Sequence, residues 1–163
     1  MVLSSPKPSV DLAPVVAHLQ ATLGSRAGVS LLHDMVVLDV ERAHLVDVAR
    51  AVRDDPLVRC DLYSVNAGVD MGNGELRSVT FLRGTGTRVF VMLRTGCTEL
   101  DPHIPSLVGI WEGANWPERE TYDMFGIVFD GHPDLRRVFL EDSFPGHPLR
   151  KSFMPPRSDA RGG

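Results

Sequence analysis

The stretch Leu76-Arg77-Ser78-Val79-Thr80-Phe81-Leu82-Arg83-Gly84-Thr85-Gly86-Thr87-Arg88-Val89-Phe90-Val91-Met92-Leu93-Arg94-Thr95 decides the fold class. Leu76 to Arg83 and Arg88 to Thr95 read as strands on either side of a Gly-Thr-Gly-Thr turn, the signal of a β-hairpin. In the second arm Val89, Val91 and Leu93 alternate with Arg88, Phe90, Met92 and Arg94. That is a period of two, with one face buried more deeply than the other. Upstream, Leu12, Val15, Val16, Leu19 and Leu23 share one helical face, with Asp11 as expected N-cap, Pro14 in the first turn and Gly24 as stop. Val29 to Leu32 and Met35 to Val40 read as β, separated by His33-Asp34. Asp39 is the expected cap of a second helix with apolar positions Leu45, Val48, Ala49 and Val52, ended by Asp54-Asp55-Pro56. Leu57 to Val65 reads as a further strand, and Asn66 to Glu75 as a glycine-bearing loop. This order predicts an α+β fold: a mixed or antiparallel sheet with helices packed on one face, followed by an extended C-terminal segment.

Downstream of the hairpin, Pro105 to Trp111 reads as a helical turn. A firmer helix follows, capped by Asn115 or Trp116, with Pro117 in its first turn and Gly126 at its stop. Within it Glu118 and Glu120 sit near the positive end of the helix dipole, and Arg119 and Asp123 are spaced as an i, i+4 pair. Beyond Gly131 the chain is punctuated by Pro and Gly. The expected division is a flexible N-terminus over 1–10, an α+β domain over 11–130, and a docking segment with a mobile tail over 131–163.

Composition narrows the function. The chain has 163 residues, 43% hydrophobic and 23% charged, enough for one self-sufficient core. No apolar run approaches the roughly 20 residues of a spanning helix, and Met1 to Val10 read as neither signal nor transit peptide. The net charge of −4 argues against nucleic acid as the main partner. Cys60 and Cys97 lie far apart with no ligand-like spacing, so the chain by itself offers no zinc or Fe–S site; buried thiols are the simpler reading than a disulfide. The glycine clusters at 72–74 and 84–86 lack the strand-to-helix context of a dinucleotide site and the GK[ST] of a P-loop. No nucleophile motif is present, and Glu118 and Glu120, about 200° apart around a helix, do not form an acid/base pair.

Two features remain. Residues 112–130 carry five acids against Arg119 alone, and a basic segment follows. Within that segment Gly131-His132-Pro133-Asp134-Leu135-Arg136-Arg137 is nearly repeated as Gly146-His147-Pro148-Leu149-Arg150-Lys151. His132 and His147 are candidate metal ligands, but two histidines without a third make a poor site. The arginines fit carboxylate pairing, partly internal and partly toward a partner.

The run Glu118-Arg119-Glu120-Thr121-Tyr122-Asp123-Met124-Phe125-Gly126-Ile127, continued through Phe129 to Arg137 and Gly146 to Lys151, closely resembles the 30-kilodalton subunit of respiratory complex I, the one lettered C in the NADH-quinone oxidoreductase. The likeness is dense over 115–151 and collinear, though looser, upstream. It implies a non-catalytic, peripheral-arm subunit of a proton-translocating NADH:quinone oxidoreductase. Such a subunit docks on the large hydrogenase-like subunit of the quinone module (lettered D), near the Fe–S subunits, on the cytoplasmic side of the membrane. It implies no cofactor on this chain, with FMN, Fe–S clusters and quinone carried by other subunits. Carried over as interface and folding determinants are Glu118, Arg119, Glu120, Asp123, Gly126, Gly131, His132, Pro133, Leu135, Arg136, Arg137, Gly146, His147, Pro148, Leu149, Arg150 and Lys151. Pro117, Ser143-Phe144 and Ser152-Phe153-Met154 depart from the family pattern. Membrane-bound hydrogenases and photosynthetic relatives of complex I use a homologous subunit, which is the alternative, with a stand-alone metal-binding protein built on His132 and His147 the competing class.

Overall fold

A computed structural model of the chain describes residues 10–155. The expected flexible stretch 1–10 (Val10 apart) and the expected mobile last eight residues lie outside these. In chain order the elements are α1 (Ala13–Leu23), β1 (Ala27–Leu32), β2 (Met35–Val40), α2 (Leu45–Asp54), β3 (Leu62–Asp70), β4 (Glu75–Arg83), β5 (Phe90–Thr98), β6 (His103–Pro105), α3 (Asn115–Phe125) and β7 (Val128–Asp130). The main sheet has the order β1-β2-β5-β4-β3, and β6 pairs with β7 in a small second sheet. Every contact in the main sheet is antiparallel except β2 with β5, which is parallel, so the sheet is mixed as expected.

Period and burial agree in the first two helices. Val15, Leu19 and Leu23 of α1 and Leu45, Val48, Ala49 and Val52 of α2 are buried in one core with Val36, Leu38 and Val40 of β2, Leu76 and Leu82 of β4, and Val91 and Leu93 of β5. The hairpin forms as read, with Leu82 opposite Val91 and Thr80 opposite Leu93. Its loop is longer than the four-residue turn: Arg88 takes a left-handed φ of 61° and donates its N–H to Gly84 O, so β5 starts at Phe90.

Three local expectations change. Asp39 is not a helix cap; it lies within β2, opposite Arg94 of β5, and accepts from the Arg94 guanidinium. Asp11 does serve the start of α1, its Oδ1 accepting Ala13 N–H at 3.1 Å, although Leu12 holds the cap position. The third strand is shifted: residues 56–58 form a turn, and β3 runs from Leu62 to Asp70 through what reads as loop. The cause is tertiary. Asn66 is buried, donating to Ser78 Oγ (2.6 Å) and Thr80 Oγ1 (2.8 Å) and accepting from Thr121 Oγ1 (2.6 Å). Gly68 lies directly under the Phe125 ring, where a Cβ would overlap it. A polar residue and a glycine are therefore suited to this strand by α3, not by strand propensity.

Candidate functional site

α3 carries the densest part of the sequence signature and buries polar groups on two sides. Glu118, Thr121 and Phe125 face the sheet, while Arg119 and Asp123 face residues 131–155, which contain no helix or strand and run as a strap along the helix. Glu120 is exposed between them. Glu118 and Glu120 thus point to different environments, as their spacing requires.

The strap is held by hydrogen bonds to a few fixed points. Asp123 is the central one, 0% exposed. Its Oδ2 accepts the backbone N–H groups of Val138 (3.1 Å), Phe139 (2.8 Å) and Leu140 (3.0 Å), and its Oδ1 accepts Arg137 Nη1 at 2.8 Å. Burial alone would raise this carboxyl, yet the backbone donors and Arg137 outweigh it and hold it below the ordinary Asp value. Arg137 also donates to the carbonyls of Phe144 (3.2 Å) and Gly146 (3.0 Å), folding the middle of the strap back on itself. The Arg119–Asp123 pair expected from spacing does not form. Arg119 donates instead to the carbonyls of Arg136 (3.2 Å) and Arg137 (3.4 Å) and lies over the Trp116 ring. The strap supplies carbonyls to Arg119 and a closer cation to Asp123, which removes any need for the i, i+4 contact.

The two Gly-His-Pro turns acquire a common role. His132 Nε2 donates to Asn115 O at the start of α3 (3.1 Å), and its Nδ1 accepts Asp134 N–H (3.0 Å). His147 Nδ1 donates to Asp123 O in the last turn (3.0 Å). Those two carbonyls are eight residues apart, about 12 Å along a helix, so the histidines do not share a metal. Among the described residues no group of three or more potential metal ligands comes together. Burial and the neighbouring Arg150 and Arg137 lower the His147 pKa, which suits a neutral ring donating from Nδ1.

Beyond His147 the strap closes the C-terminal end of α3. Arg150 donates from Nε to Phe125 O (2.6 Å), and Leu149 N–H donates to Met124 O (3.1 Å). Gly126 ends the helix at φ 71°, and a Cβ there would run into the His147 ring and the Arg150 guanidinium. Lys151 N–H donates to Asp70 Oδ2 at 2.7 Å, tying the strap to the end of β3. Gly131 and Gly146 both take left-handed φ values, the conformation each turn needs before its histidine. Pro133 and Pro148 follow those histidines, and Leu135 packs partly against the core.

Part of the signature is exposed, including Glu120, Arg136, Leu149 and Lys151. Arg136 is 70% exposed at its side chain and, among the described residues, pairs only with Asp134, whereas its neighbour Arg137 is 12% exposed. Trp116 and Phe139 are 64% and 65% exposed, and Leu149 and Met154 are also exposed. Leu149 belongs to the sequence signature, whereas Phe139 is not singled out by it; its exposure depends on where the strap turns.

Cys60 and Cys97 are free and buried. Burial pushes their thiols up to about 12 and about 11, so neither is a thiolate at neutral pH.

The family described as "Respiratory-chain NADH dehydrogenase, 30 Kd subunit" matches residues 38–159, which include the whole of α3 and the strap. The chain belongs to that family. A relative from Roseiflexus castenholzii, the NADH-quinone oxidoreductase subunit lettered C, is 42% identical over 88% of this chain and 84% of its own length. The counterpart of the same name from Streptomyces coelicolor is 46% identical over 70% of this chain but only 47% of its own length, so the chain spans about half of that relative. Among solved structures, a trypsin-resistant fragment of Nqo5 superposes with a TM-score of 0.62 at 24% identity, over 76% of this chain and 98% of the fragment. A chain of an archaeal membrane-bound sulfane sulfur reductase gives 0.74 at 20% identity, over 86% and 84%. At those identities the two structures speak for the fold. Within the signature, Arg119, Asp123, Arg137 and Arg150 are the charged side chains that seat the strap against α3.

Proposed function

We propose that this chain is a non-catalytic, peripheral subunit of a proton-translocating NADH:quinone oxidoreductase. It docks on the large hydrogenase-like subunit of the quinone module, beside the Fe–S subunits, on the cytoplasmic face of the membrane. The carrying observation is the division of labour in the strap. Asp123, Arg119, Arg137, His132, His147 and Arg150 fix its inner side, leaving Arg136, Trp116 and Phe139 presented outward on a rigid support. Exposed aromatics beside an arginine are the composition of a protein interface centre. Two further observations fit. No described helix is long and apolar enough to cross a membrane. The curated relatives at 42% and 46% identity carry the name of an NADH-quinone oxidoreductase subunit, which favours that complex over a hydrogenase-type relative. FMN, the Fe–S clusters and quinone belong on the other subunits in this reading.

The test is affinity capture of the tagged full chain from solubilised membranes of the producing cell, with every copurifying protein identified. Recovery of the large quinone-module subunit with NADH:quinone activity supports the proposal. Recovery with a hydrogenase-type or sulfur-reducing partner set, or of this chain alone, overturns it.

A further inference from the structure

Glu118 is not used by the strap and, among the described residues, has no counter-cation. It is 1% exposed, on the first turn of α3, and faces the main sheet. Its two contacts are Ser106 Oγ, which donates to Oε2 at 2.6 Å, and Leu107 N–H, which donates to Oε1 at 2.7 Å. Both donors belong to the corner that follows β6. That corner leads into Trp111, whose indole N–H donates to Cys60 O and whose ring packs against Tyr63.

Next to the carboxylate is a cavity of about 10 Å³ bounded by Leu45 of α2, Ser78 and Thr80 of β4, Leu93 and Thr95 of β5, and the β6–β7 pair. That is the scale of a single water. No lining residue other than Glu118 is titratable or charged. On β3, Tyr63 is the titratable group that feels Glu118, and its buried hydroxyl lies close to the Thr80 and Asn66 side chains. On α3 itself, Arg119 and Asp123 are turned to the strap. The site thus combines a buried carboxyl, without a cation among the described residues, and adjoining room for one water.

We propose that Glu118 is a proton-operated latch between α3 and the 106–107 corner: neutral, it packs dry beneath α3, and ionised, it draws water into the adjoining cavity and loosens the corner. The chemistry favours an equilibrium over a fixed state. Two donors are too few to satisfy a buried carboxylate, which has roughly four acceptor positions, and a lone buried charge is costly. Burial raises the Glu118 carboxyl to about 7, with Ser106 and Leu107 pulling it back down. Both protonation states are therefore populated near neutral pH.

The test uses the full chain and nuclear magnetic resonance between pH 5 and 9. The Glu118 side-chain carboxyl is expected to titrate near pH 7. The Leu107 amide should shift with the same midpoint and lose at least several-fold of its hydrogen-exchange protection above it, after correction for the intrinsic pH dependence. In Glu118→Gln, which keeps an acceptor and cannot ionise, the Leu107 amide should stay protected and stop titrating. A Glu118 carboxyl that titrates below pH 5 in the wild-type chain would overturn the proposal, and needs no variant to fold. So would a Leu107 transition that persists unchanged in Glu118→Gln.

Discussion

Replacing Asp123 by Ala separates the inner side of the strap from its outer side. The carboxylate accepts three backbone N–H groups and one guanidinium N–H, all from residues 137–140, and is itself 0% exposed. Its loss leaves Arg137, 12% exposed, without a counter-charge in a half-buried site. Breaking a buried, hydrogen-bonded ion pair costs about 3–5 kcal/mol, and bonds to a charged acceptor contribute about 1.5–3 kcal/mol each without adding. The expected loss is therefore about 3–5 kcal/mol, a large share of a domain's ordinary stability of about 5–15 kcal/mol. Arg136→Gln, one residue from Arg137, removes only an exposed pair with Asp134 and should cost less than about 1 kcal/mol. Urea unfolding followed by the fluorescence of Trp111 and Trp116 gives both numbers, and hydrogen exchange at Val138, Phe139 and Leu140 shows whether the strap is what came loose. If Asp123→Ala costs under about 1 kcal/mol, or Arg136→Gln costs as much as Asp123→Ala, the assignment of inner and outer residues is wrong.

Gly68→Ala should destabilise by about 1–3 kcal/mol because the methyl group overlaps Phe125 and pushes α3 from β3; trimming Phe125 to Leu in the same chain should recover part of the loss in urea unfolding. Acid should release the strap before the core. The Asp123 and Asp70 carboxyls are held below the ordinary Asp value of 3.8, so their stabilisation is full above that value and disappears as pH falls through the lower folded values. Proteolysis between residues 138 and 150 at descending pH should therefore begin below about pH 4, and cleavage already at pH 6 would contradict this. Glu118 contributes with the opposite sign: raised to about 7, it favours the folded chain most below its unfolded value of 4.5, and that stabilisation of roughly 3 kcal/mol is lost as pH rises through 7. Glu118→Gln should flatten the decline in stability between pH 5 and 8; an unchanged decline would refute it.

How much of the molecule is legible in its sequence depends on where each residue finds its partner. The apolar faces of α1 and α2 and the arms of the hairpin follow from local periodicity, and Val15, Leu19, Val48 and Val52 are buried as their spacing demands. The parallel β2–β5 contact has no local signal, since residues 36–39 meet 91–94 only after α2 has crossed over. β3 departs from its pattern for the same kind of reason: Asn66 and Gly68 are poor strand formers whose positions are dictated by Thr121 and Phe125 of α3. In the candidate site the residues are legible and their roles only partly so. Asp123, Arg137 and the two Gly-His-Pro turns stand out in the chain, but their partners are mostly backbone N–H and C=O groups, which nearly every residue carries. Glu118 and Arg119, adjacent in sequence, part to opposite sides of α3 because one turns to the sheet and the other to carbonyls the strap brings in.

In the proposed function the outer side of the strap is a docking surface on a support built by its inner side. Copurification of the double variant Arg136→Glu, Phe139→Asp, with tagged full chains from the same solubilised membranes, is the decisive comparison. Both residues are exposed, so the variant should unfold at the urea concentration of the wild-type chain. The wild-type chain should bring down the large quinone-module subunit, and the variant, equally stable, should not. A stable variant that retains that subunit at wild-type yield would mean that the outer side of the strap is not the docking surface.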